Sequence, residues 1–242
     1  MPLELFLDLH SQPCRSVFMF AKKNNIAFEF KKIDLAAGQH YGEEFGKISI
    51  LRKVPVMRDE EFILAESIAI LKYLAEKFRT PDHWYPADLQ KRARVNEYLS
   101  WQHTAIRTHG SKVFWFRAMV PIITGAEVPK EKMDSAMEDL NTSLKLFEEK
   151  FLQDRPFIVG DQISLADLVA HVEIMQPVGT GVDVFKDRPK LRAWSDRVKT
   201  EMGEALFDEA HSIIMNVHNL PQTFQDNGML EFLKPKIQKM FN

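Results

Sequence analysis

Hydrophobic positions at the start of the chain predict a β-strand that leads directly into an α-helix. Apolar residues recur at every second position, as Leu3, Leu5, Leu7 and Leu9, which is typical of a strand with one face in a core. Pro13 fits the first turn of a following helix, and apolar residues continue at helical spacing to Asn24. The N–H groups at this helix start point toward Ser11 and favour an anion there. Ser11 is therefore either a helix cap or a donor to a bound anion.

The remaining pattern of the first 80 residues predicts the order βαβ, then α, then ββα. Segment 28–35 is expected to form a second strand parallel to the first, followed by a short helix over 43–48. A strand over 53–58, led by a proline, turns into 62–64 as a hairpin. A helix then runs over 66–78. The first part of the chain is thus predicted to be α+β.

Beyond a boundary rich in proline and aspartate, the pattern predicts helices without strands. We expect an N-terminal domain over 1–80, a linker over 81–88 and an all-α domain over 89–242. Amphipathic spacing predicts helices over 89–110, 112–123, 128–151, 189–202 and 229–242, with a further packed segment at 211–217. The last helix is expected to lie over a site.

A capping box begins another helix at Ser164. Ser164 and Asp167 have the spacing at which each side chain satisfies a backbone N–H of the other. A structural role for Asp167 is therefore favoured over a catalytic one. Replacing either residue by Ala should cost about 1 kcal/mol, and more at a buried helix end. Pairs of carboxylates such as Glu173 with Asp167 are interpreted as part of a solvated helix face.

Composition describes an ordinary globular chain and excludes several classes. Hydrophobic residues make up 45% and charged residues 27% of 242 residues, and the net charge of -2 gives no general attraction to nucleic acid or anionic membrane. No apolar run approaches a membrane span, and the N-terminus lacks signal-peptide features. A single cysteine suits a reducing compartment. We expect a cytoplasmic protein without nucleic-acid or membrane partners.

Candidate chemistry concentrates at Ser11-Gln12-Pro13-Cys14. This stretch has the spacing of a Cys-x-x-Cys motif, but Ser11 occupies the attacking position, and one thiol cannot support dithiol redox chemistry. Cys14, one turn inside the helix, is interpreted as a packed residue. A serine hydroxyl at a helix start can instead donate to the thiolate of another molecule and lower its pKa. Phosphate-loop, dinucleotide, nucleophile-elbow and zinc motifs are absent from the sequence, so no metal site is predicted.

Taken together, these motifs resemble the glutathione S-transferase family over nearly the whole chain. Its thioredoxin-like domain is followed by an all-helical domain, which matches the predicted element order. The motifs that resemble the theta class in particular are Leu7-Asp8-Leu9-x-Ser11-Gln12-Pro13-Cys14-Arg15, Gly38-Gln39-His40, Pro81-Asp82-x-Trp84-Tyr85-Pro86 and Arg92-Ala93-Arg94-Val95. The chain departs from the family where Ser49-Ile50 precede Leu51.

The resemblance implies roles for particular residues. Ser11 would stabilise the glutathione thiolate, and Arg107 would add positive field, although a plain surface position for Arg107 stays open. The residues that would bind the rest of glutathione are His40 and Lys53 at the glycyl end, Val54 through its backbone beside a cis bond to Pro55, and Glu66 and Ser67 at the γ-glutamyl end.

The implied activity is conjugation of reduced glutathione, a co-substrate and not a cofactor, to small hydrophobic electrophiles. Alkyl halides and epoxides are the expected substrates, and organic hydroperoxides would be reduced by the same thiolate. The resemblance also implies a homodimer. Two alternatives stay open: a non-catalytic interaction module on the same scaffold, and a glutaredoxin-like enzyme, which would need a cysteine where Ser11 stands.

Overall fold

The computed structural model describes residues 2–217 and 234–235, and its N-terminal part is a four-stranded mixed sheet in the order β2-β1-β3-β4. The central strand β1 pairs parallel with β2 and antiparallel with β3, and β4 completes a hairpin with β3. The strands are β1 Glu4–Leu7, β2 Glu29–Lys32, β3 Val56–Asp59 and β4 Phe62–Ala65. The sheet and its helices confirm the predicted thioredoxin-like arrangement.

The expectation of a single buried face for the first strand is wrong. Leu5 and Leu7 are fully buried in the main core, while Phe6 on the opposite face is also buried, at 5% exposure. The ring of Phe6 packs against Phe45, with centroids 6.4 Å apart. A helix therefore covers each face of the sheet, so side chains on both faces of β1 leave water.

The third strand begins later than its hydrophobic pattern suggests. Segment 53–58 is predicted as strand, but β3 begins at Val56. Proline has no N–H to donate to a ladder, so the pairing starts after Pro55. The peptide bond between Val54 and Pro55 is cis.

Three α-helices accompany the sheet. Their bounds are α1 Gln12–Lys23, α2 Glu43–Ile48 and α3 Ser67–Lys77, and a 3-10 turn over Gln39–Tyr41 precedes α2. The predicted helix over 43–48 is present with the same bounds. Helix α1 is the central one, because it packs on α3 and on two later helices, α8 over Leu165–Val178 and α10 over Glu204–Met215.

The helical part begins with a break that the sequence pattern places wrongly. Its helices are α4 Leu89–Trp101, α5 Ile106–Phe114, α6 Val120–Thr124, α7 Lys130–Leu146, α8 Leu165–Val178, α9 Pro189–Met202 and α10 Glu204–Met215. The predicted helix over 89–110 is interrupted at Ala105, whose φ and ψ are -119° and -102°. Gly110 does not end it, since its position against Pro177 of α8 offsets the low helix propensity of glycine.

Two wider turns continue α5 and α7 as π-helix, over Trp115–Met119 and Phe147–Leu152. The first of them joins α5 to α6. Because a π turn accommodates an extra residue, it changes the direction of the side chains that follow it. Trp115 and Met119 line the same cavity as Arg107 and Ser111 of α5.

The expected linker, 81–88, contains a short 3-10 turn over Asp82–Trp84. Trp84 is buried at 1% exposure and packs edge-on against Phe20 of α1, with centroids 5.3 Å apart. The domain limits themselves stay predictions. The predicted helix over 229–242 and its place over a site lie outside the described residues, apart from Lys234 and Pro235.

Helix α8 forms the centre of the helical part. Every residue from Leu165 to Pro177 is buried, so this helix has no solvated face. The interpretation of Glu173 and Asp167 as solvated charges is therefore wrong: both are at most 1% exposed. The capping role of Asp167 is supported, since its carboxylate accepts the Ser164 N–H at 3.0 Å. Among residues 2–217 and 234–235, no helix is both long and apolar enough to cross a membrane.

Candidate functional site

Ser11 stands at the junction of β1 and α1 with its hydroxyl unused by the helix. It is the residue before α1, its own N–H donates to the Asp8 carbonyl at 3.0 Å, and its side chain makes no capping hydrogen bond. Pro13 occupies the first turn, as its fixed φ allows. The capping interpretation of Ser11 is thus not what the geometry shows, and the hydroxyl lies beside the helix N-terminus within reach of the Cys14 thiol.

The loop before Ser11 is held by the buried carboxylate of Asp8. It accepts the backbone N–H and the ring Nδ1 of His10 at 2.9 and 2.8 Å, and the Leu35 N–H at 2.9 Å. Burial raises the pKa of Asp8, but the hydrogen bonds from His10 and Leu35 outweigh it and hold that pKa below its usual value. The charged Asp8 carboxylate therefore joins the segment that follows β1 to the segment that follows β2, directly before Ser11.

Cys14 is unsuited to nucleophilic chemistry. Its side chain is fully buried among the core residues of α1. Burial raises the pKa of the thiol to about 12, even with the Ser11 hydroxyl nearby. This finding argues against the glutaredoxin-like alternative, because a thiol that stays protonated does not attack.

Ser11 lines a cavity of about 320 Å³ between the two parts of the chain, which we call the Ser11 cavity. From the first part it is lined by His10, Ser11, Gln12, Pro13, Leu35, Ala36, His40 and Tyr41. From the helical part it is lined by Arg107, Ser111, Phe114, Trp115, Met119 and Gln176. The walls are mainly apolar, with a few polar groups near Ser11.

A second, more polar cavity of about 260 Å³, which we call the Lys53 cavity, adjoins the first. Pro13 and Arg107 line both cavities, so they form the shared wall. The other residues that line it are Leu51, Lys53, Val54, Pro55, Ala65, Glu66, Ser67 and His103. An elongated ligand with one polar end could extend from one cavity to the other past Arg107.

The loop that carries Lys53 is tied down in spite of the unusual Ser49-Ile50. The Arg52 guanidinium donates to the carbonyls of Tyr41 and Gly42, the latter at 3.1 Å. The Arg52 N–H donates to the Ser49 carbonyl at 3.0 Å. These bonds connect the loop to the start of α2 and fix the approach to the cis bond between Val54 and Pro55.

Glu66 has a backbone conformation that side-chain-bearing residues rarely adopt. Its φ is 69° and its ψ 110°, at the residue before α3, and its carbonyl accepts the Ile70 N–H at 2.9 Å. A positive φ in such a residue costs on the order of 1–3 kcal/mol and is found disproportionately at ligand sites. The kink presents the side chain of Glu66 and the N–H groups at the start of α3 to the Lys53 cavity.

His40 contributes a half-buried ring to the Ser11 cavity. Its Nδ1 is buried and has no hydrogen-bond partner among the residues that the structure describes. Burial lowers the pKa of His40, so the neutral ring is favoured at neutral pH. A buried polar atom without a partner at a cavity wall is a ready contact for a polar ligand group.

The structure therefore brings all the predicted site residues to two adjoining cavities. Ser11, His40 and Arg107 line the first. Arg107 also lines the second, together with Lys53, Val54, Pro55, Glu66 and Ser67. Arg107 is half-buried in this shared wall, and not a plain surface residue. In the described part of the chain, no group of three or more His, Cys, Asp or Glu side chains could hold a metal ion.

Sequence reasoning missed several cavity residues from the helical part. Ser111 accepts a hydrogen bond from the Gln12 amide at 2.7 Å, across the boundary between the two parts. Phe114, Trp115 and Met119 form an apolar wall. The helical spacing of positions 107, 111 and 115 was visible, but nothing in the sequence indicated which face of α5 turns toward Ser11.

A buried charge cluster lies behind the shared wall. Arg15 is fully buried, and its guanidinium donates to the Leu9 carbonyl at 2.7 Å and to Gln176. Glu173 lies near both Arg15 and Arg107, and its carboxylate oxygen Oε1 is 3.9 Å from Arg107 Nη1. Burial raises the pKa of Glu173 to about 7, against the lowering effect of the two arginines, and lowers that of Arg15 to about 10.

Family models and related proteins that match this chain all belong to one family. Residues 3–76 match the family described as "Glutathione S-transferase, N-terminal domain", and residues 109–201 match "Glutathione S-transferase, C-terminal domain". Glutathione S-transferase theta-1 of Gallus gallus is 50% identical, with 99% of each chain covered. Theta-2 of Homo sapiens is 51% identical over 90% of this chain and 88% of that protein.

Solved structures agree with these sequence matches. The apo form of human glutathione S-transferase T1-1 has a TM-score of 0.90 and 45% identity, covering 99% of this chain and all of that one. Human glutathione transferase theta-2, solved with glutathione and an unknown ligand, has a TM-score of 0.87 and 47% identity, covering 94% of this chain and 98% of that one.

Proposed function

The chain belongs to the glutathione S-transferase family, in its theta class, and we propose that it conjugates glutathione to small hydrophobic electrophiles. In this proposal the Ser11 hydroxyl donates a hydrogen bond to the glutathione thiolate. The observation that carries the proposal is the Ser11 hydroxyl, which caps no helix N–H and lines a cavity that shares Arg107 with a second, more polar one. A tripeptide thiol has matching parts. Its thiol would occupy the Ser11 cavity, and its polar ends would lie in the Lys53 cavity and beside His40.

The charged ends of glutathione have complementary groups in the two cavities. In the proposal, Glu66 and Ser67 bind the γ-glutamyl end, where the N–H groups that begin α3 favour a carboxylate and the Glu66 side chain favours the ammonium group. Lys53 and the His40 ring bind the glycyl carboxylate. The backbone of Val54, beside the cis bond to Pro55, pairs with the cysteinyl peptide unit.

The proposed chemistry is attack by a stabilised thiolate. The thiol of glutathione releases its proton to solvent, and Ser11 donates its O–H to the resulting anion while Arg107 adds positive field. The sulfur electron pair then forms a bond to carbon, and the carbon–halogen bond breaks with departure of halide, or an epoxide C–O bond opens. The apolar wall of Phe114, Trp115 and Met119 would hold such electrophiles.

Ser11→Ala tests the assignment. The variant should bind glutathione in titration calorimetry, yet show a higher pKa of the bound thiol and slower turnover of a model alkyl halide at neutral pH. Ser16→Ala, in the same helix but buried away from the cavity, is the matched control and should leave both quantities unchanged. Wild-type turnover by Ser11→Ala would refute the role of Ser11. A complete lack of glutathione binding by the wild type would favour the non-catalytic interaction module.

The electrophile class is the second part of the proposal. Alkyl halides and epoxides suit the small apolar cavity, and an organic hydroperoxide would be reduced when the thiolate takes its terminal oxygen and an alcohol leaves. The resulting sulfenic acid would then react with a second glutathione to give the disulfide and water. A panel of alkyl halides, epoxides, aryl halides and hydroperoxides measures these activities separately; exclusive turnover of aryl halides would contradict the proposal.

The proposed function also includes assembly as a homodimer and a cytoplasmic location. The edge strand β4 carries Phe62 and Ile63, whose side chains are 47% and 42% exposed. Leu51, in the loop before β3, is 53% exposed. We infer that a second copy of the chain covers part of this surface, because large apolar side chains on an edge strand favour association. Sedimentation of the purified chain should give twice the monomer mass, and Phe62→Asp should shift it toward monomer.

A further inference from the structure

Glu173 is a buried carboxylate with an unusual shortage of partners. It lies on α8 at 1% exposure. Its Oε1 is 3.9 Å from Arg107 Nη1, an ion pair beyond hydrogen-bond distance, and its Oε2 is buried without a hydrogen-bond partner in the described part of the chain. A buried carboxylate is expensive unless it is paired, so a position that retains one calls for a specific reason.

Of the two arginines near Glu173, Arg107 depends more on its carboxylate for a fixed position. The ion pair with Glu173 is the only one that Arg107 makes with residues 2–217 and 234–235, and those residues provide it with no side-chain hydrogen bond. Its side chain is 32% exposed and belongs to the wall between the Ser11 cavity and the Lys53 cavity. Without Glu173, we expect the Arg107 guanidinium to turn toward water.

Arg15 provides an internal contrast. It also feels the charge of Glu173, but its guanidinium is held by the carbonyls of Leu9 and His10, at 2.7 and 3.2 Å, and by the side chain of Gln176. Those acceptors remain when the Glu173 charge is removed. The loop that leads to Ser11 should therefore keep its position, and the loss should fall mainly on Arg107.

We propose that Glu173 is a positioning residue that holds the guanidinium of Arg107 in the wall between the two cavities, facing the thiol of bound glutathione. The inference rests on the proposed function, in which Arg107 adds positive field to the thiolate. Glu173 itself lines neither cavity, so it acts through Arg107 and touches neither glutathione nor electrophile.

The sign of one measurement separates positioning from simple charge. If Arg107 stayed in place when Glu173 lost its charge, the site would become more positive and the pKa of the bound thiol would fall. If Arg107 instead turned toward water, the Ser11 cavity would lose the positive charge on its wall and that pKa would rise. The other groups facing Glu173 are Arg15 of α1, which stays bonded, and Tyr98 of α4, whose pKa is raised by burial so that it stays neutral.

The experiment is a double-mutant cycle of Glu173→Gln and Arg107→Ala in the full chain, read by the bound-thiol pKa from thiolate absorbance and by kcat/KM for a model alkyl halide. The kinetics are measured at about pH 8, because burial raises the pKa of Glu173 to about 7 and the side chain is charged above that value. Glu173→Gln keeps the size of the side chain and should raise the thiol pKa and lower kcat/KM by about tenfold. In the Arg107→Ala background, the same change should alter kcat/KM by less than about twofold. Ser195→Ala, which removes another buried polar contact of α8, is the control and should change neither quantity.

Each outcome is decisive. A lowered thiol pKa in Glu173→Gln, or an equal loss of kcat/KM with and without Arg107, would overturn the positioning role. If Arg107→Ala alone changes nothing, the proposed function of Arg107 fails and not merely this inference. Should Glu173→Gln not fold, Glu173→Asp keeps the charge but withdraws it by one methylene, and it too should raise the thiol pKa; an unchanged value would refute the proposal.

Discussion

The side-chain amide of Gln12 donates a 2.7 Å hydrogen bond to the Ser111 hydroxyl, which joins the first residue of α1 to α5 at the wall of the Ser11 cavity. This bond connects the residue next to Ser11 with the helix that carries Arg107. It therefore couples the two parts of the chain where the proposed reaction takes place.

Loss of this bond should affect the electrophile more than glutathione. In Ser111→Ala, the KM for a small alkyl halide should rise by about fivefold, equivalent to one net hydrogen bond of about 1 kcal/mol, because the wall of the cavity loosens. The dissociation constant of glutathione, measured by calorimetry, should stay within about twofold. Ser212→Ala, on the exposed side of α10, is the control. A larger effect on glutathione than on the electrophile would contradict this reasoning.

The thiol of Cys14 should resist modification in the native protein. It is fully buried and its pKa is raised to about 12, so almost no thiolate exists at pH 8. An aromatic disulfide reagent should therefore label the folded chain slowly and the guanidinium-unfolded chain rapidly. Since the chain has one cysteine, the unfolded protein should take up a single equivalent. Rapid labelling of the native protein would show that the α1 core opens.

Stability should fall as the pH is lowered through the range of the buried His171. Its ring lies in the core against Ser195, and burial lowers its pKa to about 3 from an unfolded value of about 6.5. Between these values the unfolded chain binds more protons at this position than the folded chain, so its stabilising contribution decreases as the pH falls. The loss should approach about 1.4 kcal/mol per pH unit below 6.5.

The variant His171→Gln isolates this contribution. Denaturant unfolding from pH 7 to 5 should show a flatter pH dependence in the variant than in the wild type, with a difference of about 2 kcal/mol accumulated over this range. Glu173 acts with the opposite sign, because its raised pKa makes the folded chain bind more protons between about 4.5 and 7. That contribution is present in both proteins and cancels in the difference. Parallel pH profiles would show that His171 is not buried in neutral form.

Asp167 should be far more important to stability than the cap alone suggests. Its carboxylate accepts hydrogen bonds from the Ile158 N–H, the Trp194 Nε1 and both the N–H and hydroxyl of Ser164, at 2.8 to 3.0 Å. Asp167→Ala leaves several buried donors unpaired and should lower the free energy of unfolding by about 3 kcal/mol or more. Ser164→Ala removes one of these donors at a buried helix end and should cost less, about 1–2 kcal/mol. Equal losses would mean that Asp167 serves only as a cap.

Local chemistry made part of the site predictable. Proline in the first turn of α1 indicated where that helix begins, and the spacing of Ser164 and Asp167 indicated the start of α8. These two features depend on residues that are neighbours in sequence, so their geometry follows from short-range sterics and hydrogen bonding. The cis bond between Val54 and Pro55, which the structure contains, was implied by the resemblance to the family.

Other features depend on contacts between distant segments and were missed or misjudged. Glu173 was assigned to a solvated face because charged residues on helices normally face water. The helix break at Ala105 was placed at Gly110, since the packing of α5 against α8 is invisible in the sequence of α5 alone. The contact between Gln12 and Ser111 joins positions 99 residues apart.

The sequence by itself determined the order of strands and helices, the family to which the chain is similar and the residue types placed beside Ser11. Hydrophobic period, proline and capping residues act over a few positions, which is why these conclusions could be reached without coordinates. Tertiary structure decided that the Ser11 side chain lines a cavity and does not cap its helix, that Arg107 stands between two cavities and that Glu173 is buried behind it. Burial and cavity walls arise only when separate helices pack together, and no local pattern specifies which of their faces meet.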